Sequence, residues 1–230
     1  MNEIQEIGLK YGTDKATRDR GYISNVYHPL FSPVRLKNIK ILEIGADLGA
    51  SHKLWSEYFK NGQVYCLDPF FTPGCENVKE DLEKNYGVIT HEGNQLRRED
   101  SLKIAKMADY EFDFIIDDAS HIADATMVSF ATLFPHLKSG GYYIIEDVAT
   151  IKRRSKILPD VNKWGNSLSG NNCELFIEHQ EETVITDSLS FHSVTGKWDS
   201  KLLTEEEKTY LEKNIESFTD FGSIVQIKKR

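Results

Sequence analysis

From residue 40 onward the chain alternates short, β-rich apolar runs with segments of helical pattern, and that alternation constrains the fold more than any other feature. "KILEIGA" (40–46), "QVYCLD" (63–68), "GVITHEG" (87–93), "FDFIIDD" (112–118) and "YYIIEDV" (142–148) read as strands. Helices are predicted over 51–59, 76–86, 99–108 and 124–137, the last ended by Lys138 to Gly141. Strands joined by crossover helices build a mostly parallel sheet covered on both faces, and such burial explains the nearly continuous apolar runs. We expect one domain: a cap segment over 1–38, a core over 39–150, and a loop with closing strands over 151–230. The cap, with "YGTDK" (11–15) and "YISNVYHPLF" (22–31), has no strand pattern and is expected to lay helices and a loop over one edge or the pocket. Beyond 148 the pattern predicts a loop over 150–172, a helix or strand over 173–180, and a strand over 183–194. A helix follows over 204–218, opened by a Thr204–Glu207 capping box, and a closing strand over 223–229.

Sheets of this kind bind ligands in the crevice beyond the carboxyl ends of their strands. That rim receives Glu43 to Ala46, Asp68, Glu92 to Gln95, Asp117 to His121, and Glu146 to Val148, so it is strongly acidic. The whole chain carries a formal net charge of -8, which argues against a nucleic-acid or anionic-membrane partner. No uncharged apolar run is long enough to span a bilayer, and "MNEIQEIGLK" lacks a basic-then-apolar signal pattern, so a cytoplasmic setting is expected. Cys66, Cys75 and Cys173 form no CxxC spacing and read as buried or incidental thiols.

Three signals carry chemistry. In "LEIGADLGAS" (42–51) a strand enters a glycine-bearing turn and then a helix, where Gly45 and Gly49 allow close backbone approach and the helix start offers free amides. The same glycines equally suit a plain strand-to-helix turn. The spacing is not GxGxxG, since Asp47 stands at the middle position, and Glu43 lies inside the strand. Asp68 ends the second strand about 20 residues after that turn, where a carboxylate binds a ribose diol. With Glu43 and the looser glycine spacing this favours S-adenosyl-L-methionine, and the cofactor side of the rim takes in Glu43, Gly45, Ala46, Gly49, Asp68 and Asp117. The third signal is "FDFIIDDASH" (112–121) with Glu146-Asp147 one strand-helix-strand unit later. Carboxylates converging from neighbouring strand ends repel one another, and a divalent cation relieves that conflict. Asp118, Glu146 and Asp147 are therefore the expected ligands of Mg²⁺, an ion that prefers oxygen donors. His121 sits three residues past Asp118, placed to take a proton near neutral pH, although packing under the next helix would also account for it.

The combination of "KYGTDK", "LEIG", "DDASH" and "IIEDV" resembles the metal-dependent sugar O-methyltransferases of antibiotic biosynthesis, including the macrocin and mycinamicin enzymes, over about residues 10–150. The resemblance implies a Rossmann-like class I methyltransferase fold, a seven-stranded mostly parallel sheet with helices on both faces and an antiparallel last strand. It implies S-adenosylmethionine and Mg²⁺ as cofactors, Asp118, Glu146 and Asp147 as the metal ligands, and His121 as the general base. By the same matching Tyr11, Thr13 and Lys15 cover the cofactor pocket, and Asn94 and Gln95 line it, with Asn94 where relatives often carry an acid. The acceptor implied is a hydroxyl of a sugar or glycoside, and relatives often form oligomers.

One departure is informative. Where relatives continue with serine and aromatic residues after the acidic pair, this chain has Lys152, Arg153, Arg154 and Lys156. A solvated basic loop is one reading; an anionic acceptor is the sharper one, because guanidinium groups suit phosphate and carboxylate. Rival functions are an NAD-dependent oxidoreductase, which shares the sheet and Asp68 but has no use for the convergent acids, and a non-catalytic cofactor-binding domain whose acids form a solvated rim. An iron site of the two-histidine, one-carboxylate kind would need a second well-placed histidine beside His121.

Overall fold

The structure is a computed structural model that describes residues 1–18, 20–71, 74–75, 77–148 and 203–230. Thr150, the basic stretch 152–156, Cys173 and the elements expected over 150–194 lie outside the described residues.

Seven strands form one sheet in the order β3-β2-β1-β4-β5-β7-β6. β1 (Lys40–Ile44), β2 (Gln63–Asp68), β3 (Ile89–Glu92), β4 (Phe112–Asp117) and β5 (Leu137–Ile145) run parallel. β7 (Val225–Lys229) is antiparallel to both β5 and β6 (Ile215–Asp220). The expected α/β fold with its inverted strand is present. Helices Ala50–Tyr58, Val78–Tyr86, Arg98–Met107 and Ala123–Leu133 connect the parallel strands.

Strand alternation sends successive side chains to opposite faces. Leu42, Ile44, Ile115, Tyr143 and Ile145 pack with Ile104, Phe130 and Phe134 on one face. Ile41, Phe114, Ile116 and Ile144 pack on the other face with Trp55 and the cap residues Ile4, Tyr27 and Phe31. The 1–38 segment thus shares this face with helices Ala50–Tyr58 and Val78–Tyr86, through helices Glu3–Tyr11, Asp14–Thr17 and His28–Phe31 and a π-helical turn Ile23–Tyr27.

Two expectations are corrected. The helix expected to run to 137 and to be ended by Lys138 to Gly141 stops at Leu133, a 3₁₀ turn follows over Phe134–His136, and β5 begins at Leu137. The β4–β5 register shifts there, and a Cβ at Gly141 would lie 2.8 Å from the Asp113 carbonyl oxygen, so this glycine serves a close strand approach at an irregularity. The helix expected over 204–218 ends at Asn214, and Ile215–Asp220 is a strand instead. Its start is as expected, with Thr204 Oγ1 accepting from the Glu207 amide at 3.1 Å and Glu207 reaching back to the Thr204 amide at 2.8 Å. Among the described residues no helix is long and apolar enough to cross a membrane.

Candidate active site

A cavity of about 500 Å³ opens beyond the carboxyl ends of β1, β2 and β4. Gly45 to Asp47, Asp68, Asn94, Gln95 and Asp118 to Ile122 line it from the core, and Gly12 to Lys15 close it from the cap. Most of the residues expected to line one pocket, Thr13, Lys15, Gly45, Ala46, Asp68, Asn94 and Gln95, do share it.

The β1 turn is built by two local constraints. Gly45 has φ +97°, and a Cβ there would meet the Asp118 carbonyl oxygen at 2.3 Å, so glycine lets β1 leave the sheet beneath the end of β4. Asp68 then fixes the turn: its Oδ2 accepts from the Ala46 amide at 2.8 Å and its Oδ1 from the Phe70 amide at 2.5 Å. Burial pushes the Asp68 carboxyl up, against those two amides. Asn94 is held likewise, its Oδ1 accepting from the Leu96 amide at 2.9 Å, while its Nδ2 is buried with no partner.

Tyr11, Glu43, Gly49, Asp117 and Glu146 are not among the residues lining this cavity. Tyr11 donates to Glu57 at 2.6 Å, and burial together with that carboxylate pushes its hydroxyl up to about 12. Gly49, at φ +77°, is the residue before helix Ala50–Tyr58 and packs toward Leu82. Asp117 follows Ile115 onto the face away from the cap, where Ser129 donates to it at 2.6 Å and Tyr143 at 3.3 Å. Burial raises its pKa, opposed mainly by Ser129. Its link to the cavity is Gln95, whose Nε2 lies 3.4 Å from Asp117 Oδ1 and whose Oε1 accepts from the Ser120 amide at 2.9 Å.

Alternation also places the acids. Glu43 follows Ile41, Asp118 follows Ile116, and Glu146 follows Ile144, so all three carboxylates face the cap. There Lys15 Nζ lies 2.5 Å from Asp118 Oδ2, 2.9 Å from Glu146 Oε1 and 3.2 Å from Glu43 Oε1. Burial alone would pull this ammonium down; Asp118, Glu146 and Glu43 together hold it well above its ordinary value. Burial raises Glu43 less than Lys15 and His52 lower it, so it stays depressed, with Trp55 Nε1 donating at 2.8 Å. Glu146 accepts from the Tyr27 hydroxyl and is pushed well above the carboxylate range by burial and by Asp118. Asp118 is raised by burial, with Lys15 opposing.

Asp147 turns the other way. Its Oδ1 pairs with Arg20 and accepts from the Tyr22 hydroxyl at 2.8 Å. Its Oδ2 lies 3.8 Å from His121 Nε2, which is 3.9 Å from Asp118 Oδ1. His121 (φ +53°) and Asp147 (φ +52°) both occupy the left-handed region, which side chains other than glycine adopt at a cost and which gathers at functional sites. Asp118, His121 and Asp147 each offer one ligand atom, all within 4.8 Å of one another at the cavity wall. The two carboxylate oxygens of this partly exposed group suit a hard divalent ion, and the imidazole stands beside them. The inner trio of Glu43, Asp118 and Glu146 is equally close but already holds the Lys15 ammonium among its oxygens. The expected ligand set is therefore divided, with Glu146 facing inward and Asp147 facing the rim.

The residues absent from the sequence reading are Arg20, Tyr22, Tyr27, Trp55 and His52.

No protein-family model matches the chain. It is 33% identical over 156 residues to L-olivosyl-oleandolide 3-O-methyltransferase of Streptomyces antibioticus, covering 64% of this chain and 37% of that protein. Mycinamicin VI 2''-O-methyltransferase of Micromonospora griseorubida is 31% identical over 155 residues, covering 64% and 36%. Among solved structures, the MycE methyltransferase from the mycinamycin biosynthetic pathway, in complex with Mg, SAH and mycinamycin VI, matches with a TM-score of 0.70 and 24% identity over 99% of this chain. The chain spans 53% of the MycE chain, and its aligned part spans little more than a third of the curated relatives. On fold and sequence together, the chain has the class I methyltransferase architecture and resembles the sugar O-methyltransferases of the macrocin and mycinamicin family.

Proposed function

We propose that the chain is an S-adenosylmethionine-dependent O-methyltransferase that methylates a hydroxyl of a sugar or glycoside, with His121 as the base and Mg²⁺ held by Asp118 and Asp147. The observation that carries this reading is the position of His121 Nε2 between Asp118 Oδ1 and Asp147 Oδ2, at the wall of the cavity that Asp68 and the Gly45–Asp47 turn also line. The cavity volume lies within the usual range for small-molecule sites. In this reading Asp68 takes the ribose hydroxyls and the unpartnered Asn94 Nδ2 donates to an acceptor atom of the cofactor. Bound Mg²⁺ supplies the Lewis acidity that makes a poorly acidic alcohol easier to deprotonate. His121 Nε2 takes the hydroxyl proton, held in place by its left-handed backbone and flanked by two carboxylates that stabilise the imidazolium. The acceptor oxygen gains the methyl carbon as the carbon–sulfur bond breaks, and the sulfur keeps that electron pair. Glu146, held by Tyr27 and Lys15, supports Asp118 from behind.

The relatives support this reading through their names, and MycE through the Mg and SAH in its complex. We take the acceptor to be a small molecule, the setting to be cytoplasmic, and self-association to be as open to this chain as to its relatives. The basic residues of 152–156 suit either a solvated loop or an acceptor with phosphate or carboxylate groups.

The test is His121→Ala. S-adenosylhomocysteine binding by calorimetry is expected to stay within the wild-type range, with no binding of NAD⁺. Methyl transfer to a panel of neutral and anionic glycosides, read by mass spectrometry, is expected to fall about 10²- to 10⁴-fold. Unaltered turnover rejects the base, and full wild-type activity after exhaustive EDTA treatment rejects the metal.

A further inference from the structure

The cap segment gives each rim carboxylate one cation and leaves it one open oxygen. Lys15 holds Asp118 Oδ2 at 2.5 Å, and Arg20 holds Asp147 Oδ1. The oxygens left over, Asp118 Oδ1 and Asp147 Oδ2, are the two that face His121 Nε2 at 3.9 and 3.8 Å.

The two cations differ in freedom. The Lys15 side chain is 1% exposed and wedged among three carboxylates, so it cannot leave without abandoning buried charge. The Arg20 side chain is 28% exposed and pairs with Asp147. Asp147 does not depend on Arg20 alone for its direction, because the Tyr22 hydroxyl donates to the same Oδ1 at 2.8 Å and is itself 3.1 Å from the Ser223 carbonyl oxygen. Removing the Arg20 charge therefore leaves Asp147 oriented and changes only the electrostatics. A guanidinium on one oxygen of a carboxylate repels a divalent ion on the other and draws on the same negative charge.

We propose that Arg20 sets the affinity of the rim site for its divalent ion through its charge, which draws on the same carboxylate and keeps the ion exchangeable. This rests on the reading above in which Asp118 and Asp147 hold the metal beside His121. Lys15 is the fixed counter-ion of the inner acids, and Arg20 is the adjustable one of the outer acid.

Mn²⁺, whose free form is counted directly by electron paramagnetic resonance, is the probe for the full 230-residue chain. Arg20→Gln is expected to bind Mn²⁺ about tenfold more tightly than wild type, equivalent to about 1.4 kcal/mol. Arg20→Lys, which keeps the charge, is expected to return the affinity to the wild-type value. A merely structural role for Arg20 predicts the opposite: weaker binding in Gln and no rescue by charge. Unchanged or weaker Mn²⁺ binding by Arg20→Gln, in a series where wild type binds and Asp118→Asn does not, overturns the role of Arg20 and leaves the metal site standing. A wild type that binds no Mn²⁺, or an Asp118→Asn variant that binds it as well as wild type, overturns the site and the role of Arg20 with it.

Discussion

The two halves of the rim reach the same end by different means. At the ends of β2 and β3 the oxygens of the polar side chains are satisfied by backbone within a few residues or one neighbouring strand: Asp68 by the Ala46 and Phe70 amides, Asn94 Oδ1 by the Leu96 amide. On the β4–β5 side the acids that face the cap are satisfied by side chains from the far end of the chain, with Lys15 reaching Asp118 across 103 positions and Arg20 reaching Asp147 across 127. Backbone amides on a turn are neutral and permanent; ammonium and guanidinium groups carry charge and depend on the cap staying packed. The first arrangement forms a stiff cradle, whereas the second makes the acids and the cap hold each other in place.

The largest expected effect breaks the second arrangement. Lys15→Met keeps the apolar stem but leaves Glu43, Asp118 and Glu146 facing one another without a cation. Removing one partner from a buried ion cluster destabilises by about 3–5 kcal/mol. Urea denaturation at neutral pH without metal or cofactor measures it. Folded Lys15 has a raised pKa, so its contribution is fully present below the unfolded lysine value and is lost only as pH rises through the folded one. The deficit of the variant is therefore expected to persist throughout the neutral range. A loss near zero would mean that the cap is not anchored through this ammonium.

The same contrast explains what the sequence disclosed. β1 to β5 and β7 were legible because each is an apolar run between turn residues, and the glycine turn and Asp68 were legible because their partners are local. The shared face of Glu43, Asp118 and Glu146 was also present in the sequence, since each stands two residues after an apolar strand residue of one face. That alternation, applied one residue further, separates Glu146 from Asp147, whereas the adjacent acids were expected to act side by side. Lys15 was read as a pocket cover, and Arg20, Tyr22 and Tyr27 gave no sign of their partners, because no periodicity relates a cap residue to a strand end more than a hundred positions away. β6 was hidden for another reason. "NIESF" continues the helical pattern, and pairing with β7 across the Gly222 turn (φ +91°) wins over local propensity.

A smaller effect tests the first arrangement. Asp68→Asn preserves shape but must turn an amide NH₂ toward either the Ala46 or the Phe70 amide, setting donor against donor. Leaving one such buried donor unpaired costs about 1–3 kcal/mol. The loss should appear in urea denaturation with no cofactor present, and S-adenosylhomocysteine binding by calorimetry should weaken as well. Weakened binding with unchanged stability would show that Asp68 serves the ligand alone and that the turn holds without it.

The smallest effect sharpens the boundary between the inner and outer acids. Glu146→Gln keeps an oxygen to accept from Tyr27 and Lys15, so at pH 5 the variant should lie within about 1 kcal/mol of wild type. The difference lies in the pH profile. Burial and Asp118 raise the folded pKa of Glu146 well above its unfolded value, so the folded protein binds this proton more tightly. Its stabilising contribution is fully present below the unfolded value, about 4.3, and is lost as pH rises through the folded one. An amide does not titrate. Wild type should therefore lose stability relative to Glu146→Gln between pH 5 and pH 8, measured by urea midpoints at constant ionic strength. Parallel profiles would mean that Glu146 ionises like an exposed carboxylate, which its position behind Tyr27 and Lys15 forbids. Mn²⁺ binding by the same variant separates the two acids directly. Retained binding keeps Glu146 as a support of Asp118, while loss comparable to Asp118→Asn moves it to the rim beside Asp147 as a ligand.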